Sequence, residues 1–156
     1  MSDKGRKYTA QEIVVYYQPR LCIHAAECVR GLPEVFDTQK KPWIQPEHAA
    51  AQVIAEVIER CPSGALQYER LDGGAAEAMP DTLSIQLVPG GPLYTRGPIV
   101  LKDVSGQVIF EGTRAALCRC GASQNKPFCD NSHLQSGFQA EGGWLKLELS
   151  GEVLDD

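Results

Sequence analysis

Apolar residues fall in short runs along most of this chain, and one stretch carries a helical period. "EIVVYY" (12–17) is β-branched and aromatic and predicts a strand. "ECVRGL" predicts a helical turn or two before Pro33, and "KPWIQ", flanked by prolines, predicts extended chain. The helix signal is strongest over "PEHAAAQVIAEVIER" (46–60). Pro46 suits a first helical position, Glu47 a first turn, and Ala50, Val53, Ile54, Val57 and Ile58 form one stripe, with Val53 and Val57 read as core packing. Cys61-Pro62 stops that helix, and Gly64 leads into a strand through "ALQYERL". Beyond it, "TLSIQLV", "PIVLKD", "QVIFEG" and "WLKLELS" alternate between Gly, Pro and Asp turns. Trp43 and Trp144 fall in expected strands, where burial is the default.

The order strand–helix–strand–helix–strand, followed by short strands, makes the fold class α+β, a small mixed domain followed by a mostly-β one. Residues 72–81, "DGGAAEAMPD", are small and turn-prone without apolar periodicity and read as a linker. The expected division is a first domain at 1–72, a linker at 73–81 and a second domain at 82–156. Cys22, Cys28 and Cys61 precede the cut, and Cys118, Cys120 and Cys129 follow it.

The net charge of -5, with no Lys/Arg run or basic stripe, argues against nucleic acid as a partner. The polar start "MSDKGRKYTAQE" lacks the apolar core of a signal peptide, and nowhere do about 20 apolar residues run together. The expectation is a cytoplasmic protein with no membrane partner. In a reducing compartment the six cysteines read as metal ligands rather than disulfides. A bridge between Cys118 and Cys120, one residue apart, would be strained.

"CRCGASQNKPFCDNSH" (118–133) concentrates three cysteines and a histidine. Such a set holds a structural zinc or an iron–sulfur cluster. Zinc sites normally space paired cysteines by two to four residues, so C-x-C fits two ligands on one iron of a cluster better. The run resembles the CDGSH iron–sulfur family (mitoNEET-type), whose signature is C-x-C-x2-S-x3-P-x-C-D-G-x-H. Cys118, Cys120, Ser123, Pro127, Cys129, Asp130 and His133 fall on it, and the likeness covers about residues 82 to 140. The resemblance implies a 2Fe–2S cluster with Cys118 and Cys120 on one iron and Cys129 and His133 on the other. Asn131 stands where the family has Gly. If that Gly supplies a left-handed backbone, Asn tolerates it best among the alternatives. A neutral imidazole in place of a thiolate makes a cluster easier to reduce, and a histidine ligand also titrates. His133 is thus both the expected redox tuner and the weakest bond. Asp130 is expected to cap the short helix carrying His133; Ser123 and Lys126 either support the ligands or belong to a solvated loop.

"CIHAAECVRGLPEVFD" with "CPSGALQY" resembles single-cluster bacterial ferredoxins over residues 12 to 70, closest to the divergent ones that serve mono-oxygenases. That resemblance implies Cys22, Cys28 and Cys61 as three cluster ligands. The middle cysteine of the usual C-x2-C-x2-C loop is Ala25 here. Two outcomes remain: a 3Fe–4S cluster, which we favour, or a 4Fe–4S cluster with another fourth ligand, for which His24 is adjacent. His48 reads as a surface residue.

The sum is a two-cluster iron–sulfur protein, a one-electron carrier working with a reductase or acceptor oxidoreductase. No Ser/His/Asp set, glycine-rich phosphate loop or spare cysteine speaks for an enzyme. The family resemblance makes a homodimer plausible. Two other readings stay open: a pH- or redox-responsive cluster carrier or sensor, and a zinc-binding structural or interaction module.

Overall fold

Two three-stranded antiparallel sheets lie on either side of residues 72–83, which hold no helix or strand. The computed structural model describes residues 4–141; the strand expected at "WLKLELS", with Trp144, lies outside the described residues. The α+β expectation holds.

The first sheet runs in the order β1 (Arg6–Thr9), β2 (Ile13–Tyr17), β3 (Leu66–Arg70). Ile13, Val14 and Val15 of the central strand are buried, as their β-branched run predicts. Pairing of Tyr17 with Leu66 and of Ile13 with Arg70 fixes the register. The sequence does not announce β1: "RKYT" is a mostly exposed edge strand, so it carries no apolar alternation.

The expected long helix is broken. Pro46–His48 forms a 3-10 turn, Ala50 is extended (φ -64, ψ 141), and α2 (Ala51–Ile58) begins after it. Pro46 therefore starts the turn rather than the helix. Ala51, Ile54, Ala55, Val57 and Ile58 face the core, but Val53 is 43% exposed. It stands five residues from Ile58, about 140° around the axis. Val57, at the edge of the stripe, is covered by α1 (Glu27–Gly31), where Gly31 leaves room for its methyl groups. Phe36 and Ile44 join in an isolated bridge and pack with Val15, Val35, Ile54 and Ile58 in one core. Trp43 is not in a strand: it is half-buried, edge-on to Tyr17 at 5.0 Å between ring centroids.

The second sheet is β4 (Ser84–Leu87), β5 (Leu93–Lys102), β6 (Val108–Leu117). Both long strands overrun their sequence signals. β5 passes through Gly97-Pro98 because a register shift between Arg96 and Ile99 takes up the residue that has no N–H to donate. β6 continues to Leu117 and so delivers Cys118 at its end.

The two halves share a seam. Arg114 of β6, 3% exposed, reaches across to the carbonyls of Ile58 (3.0 Å), Cys61 (2.6 Å) and Leu66 (2.8 Å) and pairs with Glu77 (2.7 Å). Arg96 donates to the Glu59 carbonyl at 2.6 Å. Gly64 has φ +72, and a Cβ there would collide with the Arg114 carbonyl, so two constraints call for glycine. Leu21 packs against Ile99, Phe110 and Ala115 of the second half. Residues 72–83 are tied down as well: Glu77 holds Arg114, and Asp72 accepts from Arg70 and Gly74.

Candidate metal centres

At the end of β6 the chain turns through a loop that closes on itself. Cys118 N donates to the Pro127 carbonyl and Cys129 N to that of Ala116, both at 2.9 Å, so Cys118 and Cys129 flank the Leu117–Phe128 bridge diagonally. Ser123, 3% exposed, is the brace: its hydroxyl donates to the Phe128 carbonyl (2.6 Å) and accepts from Asn125 N (3.0 Å). Lys126 Nζ donates to the Ser123 carbonyl at 2.9 Å. Both residues support the ligand loop, which decides between the two sequence readings. Asp130 does not cap α3 (His133–Ser136). Its carboxylate instead accepts from Gln124 N (2.8 Å), Ser132 N (3.0 Å) and Ser132 Oγ (2.6 Å), and those donors hold its pKa at about 2.

The four donors stand two and two. Cys118 Sγ and Cys120 Sγ are 3.8 Å apart, and Cys129 Sγ and His133 Nδ1 are 3.6 Å apart. On a tetrahedral metal with sulfur at about 2.3 Å and imidazole nitrogen at about 2.0 Å, such pairs would stand about 3.8 and about 3.5 Å apart. Among the described residues no three Cys, His, Asp or Glu side chains gather around a single ion position. Backbone N–H groups of Ala122 and Asn131 point at the sulfurs of Cys120 and Cys129, each at 3.4 Å. Burial acts to raise the Cys118 thiol, but the N–H groups of Ser123 and Gly121, Cys120 and the charge of Lys126 outweigh it and lower the pKa. Cys129 is raised, by burial first and then by neighbouring thiolates and Asp130, against the Asn131 N–H. The far nitrogen of His133 abuts Gly91: a Cβ there would lie 3.6 Å from Nε2. Arg119, the residue inside C-x-C, clamps that wall by donating to the carbonyls of Gly91 (2.9 Å) and Val88 (2.6 Å).

The N-terminal cysteines come from two places in the fold. Cys22 follows a 3-10 turn at Pro19–Leu21, Cys28 sits in α1, and Cys61 follows α2. All three line one cavity of about 530 Å³ with His24, Ala25, Tyr17 and Trp43. Cys28 is pushed up to about 11, by burial first, with Val29 N–H opposing and the charges of Cys61 and Cys22 adding. Tyr17 is raised as well, by burial and then by its hydrogen bond and charge interaction with Cys22. Arg6, Lys40 and Lys41 bring positive charge to the same cavity. His24 is exposed, lines the cavity and has φ 56; Ala26 has φ 64, so left-handed residues bracket Ala25. His48 is exposed, as expected.

Sequence reasoning passed over Tyr17, Tyr94, Arg114, Arg119 and Ile23, none of which carries a ligand atom typical of iron–sulfur sites. Asn131 was singled out as a backbone substitute, and it has the left-handed φ of 70 expected for it. Its side chain does more: Nδ2 donates to the Ile23 carbonyl at 2.7 Å, joining the C-terminal ligand loop to the N-terminal one.

Two family models match this chain. Residues 8–71 match the family model described as a divergent 4Fe-4S mono-cluster, and residues 90–134 match that of the iron-binding zinc finger of CDGSH type. Two proteins of Escherichia coli, from strain K12 and from O157:H7, are similar to the N-terminal part, and both are described as "Uncharacterized protein YjdI". Each is 43% identical over 63 residues, which is 40% of this chain and 83% of the relative. No helix among the described residues is long and apolar enough to cross a membrane. These matches, with relatives 43% identical over most of their own length, place the chain in the divergent 4Fe-4S mono-cluster family, joined in one polypeptide to a CDGSH-type iron-binding domain.

Proposed function

We propose that this protein is a two-cluster, one-electron carrier, with a 2Fe–2S cluster on Cys118, Cys120, Cys129 and His133 and a 3Fe–4S cluster on Cys22, Cys28 and Cys61. The observation that carries the reading is the two-and-two arrangement of the C-terminal donors. Separations of 3.8 and 3.6 Å suit a metal on each pair, and among the described residues no three such side chains gather around one ion position, which disfavours one zinc holding all four. At the N-terminal centre Ala25 offers no donor, and three thiols share one cavity, which supports a cluster with three protein ligands.

A bound cluster supplies a one-electron couple at each place. The chain's own groups set how easily that electron is held. N–H donors on the Cys120 and Cys129 sulfurs favour the more negative, reduced state, as does a neutral imidazole in place of a thiolate. Arg6, Lys40 and Lys41 do the same service at the N-terminal cavity. The work in this reading is electron exchange with a reductase or an acceptor oxidoreductase.

Electron paramagnetic resonance on anaerobically purified protein, before and after dithionite, tests this. The expected result is a near-isotropic signal in the oxidised sample from the N-terminal centre, and a second signal, of a His-ligated 2Fe–2S centre, on reduction. Silence in both states, with zinc in the metal analysis, would overturn it.

A further inference from the structure

The two ligand loops touch. Ile23, 8% exposed and bonded in sequence to Cys22, packs directly with Ala116 and Cys129, with Ala25 and Tyr94 against the same cluster. A glycine at position 131 would adopt φ 70 without strain, so the loop's backbone does not call for Asn. What Asn adds is an amide, and that amide is spent across the seam on the Ile23 carbonyl. The same residue's backbone N–H points at Cys129 Sγ. From Cys129 Sγ to Cys22 the connection is thus one hydrogen bond of 3.4 Å, the Asn131 side chain, one hydrogen bond of 2.7 Å and the covalent chain of Ile23.

We propose that Asn131 makes the two centres one path: an electron passes between them inside a single chain, through the Asn131–Ile23 contact. The step is an outer-sphere exchange in which one centre is oxidised by one electron and the other reduced by one. No bond forms or breaks and no proton need move. The inference rests on the two-cluster reading. A second tie runs parallel to the first, from Arg114 on β6 to the Cys61 carbonyl, and keeps the halves in register.

The test mixes holo-protein with less than one electron equivalent of dithionite and follows both centres by freeze-quench paramagnetic resonance. Wild-type protein should redistribute the electron in a first-order process whose rate does not change with protein concentration. Asn131→Gly keeps the left-handed backbone and the N–H to Cys129 but removes the amide, and it should slow that process severalfold. An unchanged rate in Asn131→Gly, or a rate proportional to protein concentration, would overturn the path. A second readout needs no variant. With both centres paramagnetic, each should speed the spin relaxation of the other, and two signals that ignore each other would overturn the contact. Failure of the underlying reading looks different, because iron and sulfide analysis would then find one cluster or none before any kinetics.

Discussion

The two proposed centres are built in opposite ways. The C-terminal one draws all four donors from residues 118 to 133, and its loop is closed by its own backbone through Cys118 to Pro127 and Cys129 to Ala116. The N-terminal one takes Cys22 and Cys28 from one loop and Cys61 from beyond α2, and meets them only through the packing of β2, β3 and α2. Its loop also holds two non-glycine residues, His24 and Ala26, at positive φ, each costing about 1–2 kcal/mol. Arg30 helps to hold them, donating to the Ala25 carbonyl at 2.7 Å. The first centre is a property of a loop and the second a property of the fold. A site of the second kind depends on contacts from residues distant in sequence, and Arg114, on the Cys61 carbonyl, is one of them.

The sharpest way to break the comparison is to complete the incomplete loop. Ala25 lines the cavity between Cys22 and Cys28, so Ala25→Cys restores C-x2-C-x2-C and should add one iron per chain. The near-isotropic signal of the oxidised protein should vanish, to be replaced by a signal on reduction. Iron content and paramagnetic resonance measure this together. An unaltered oxidised spectrum would mean that the cluster does not face position 25.

Next in size is Arg114→Ala. The guanidinium is buried, and its loss leaves Glu77 with Arg96 alone, at 3.8 Å, and takes a donor from three carbonyls, a change of about 3 kcal/mol for a broken buried pair. Arg114→Lys should recover only part of this, because an ammonium cannot reproduce the planar fork. Since the three carbonyls belong to Ile58, Cys61 and Leu66, the N-terminal chromophore should bleach at lower denaturant than the C-terminal one. Denaturation followed at both chromophores decides it. Equal midpoints for the two centres would remove the claim that Arg114 serves the N-terminal site.

These variants also mark what the sequence can reveal. Local geometry was legible: the left-handed Asn131 and the end of α2 before Cys61-Pro62 each follow from short-range rules. Long-range consequences were not. Val53 falls outside the buried arc of α2, and nothing in an Ala/Val/Ile stretch distinguishes one long helix from a turn followed by a shorter one. β1 escaped because an exposed edge strand needs only backbone pairing. Arg114 sits in "GTRAAL" like any strand arginine, and its partners on Ile58, Cys61 and Leu66 are carbonyls, which every residue possesses. Asp130 was read as a helix cap because its spacing to His133 fits one; the loop's own donors at Gln124 and Ser132 claimed it instead.

The smallest effect concerns the one ligand that makes the centres chemically different. His133→Cys would give both sites thiolate ligands alone. His133 opens α3 with its Nδ1 3.6 Å from Cys129 Sγ, so a sulfur at 133 would rise from the same backbone position toward the same partner. Two such exchanges separate Rieske from plant-type potentials by several hundred millivolts, so one should lower the C-terminal midpoint by on the order of 100 mV. For one electron that is about 2.3 kcal/mol. A redox titration that resolves the two signals should show the N-terminal midpoint unmoved, because the Asn131–Ile23 contact is left in place. A C-terminal midpoint that also stays put would remove His133 from the ligand set. If it falls as expected while the rate of exchange between the centres changes only as the new driving force requires, the path and the potentials are separate devices: the seam sets how fast the electron crosses, and His133 sets which way.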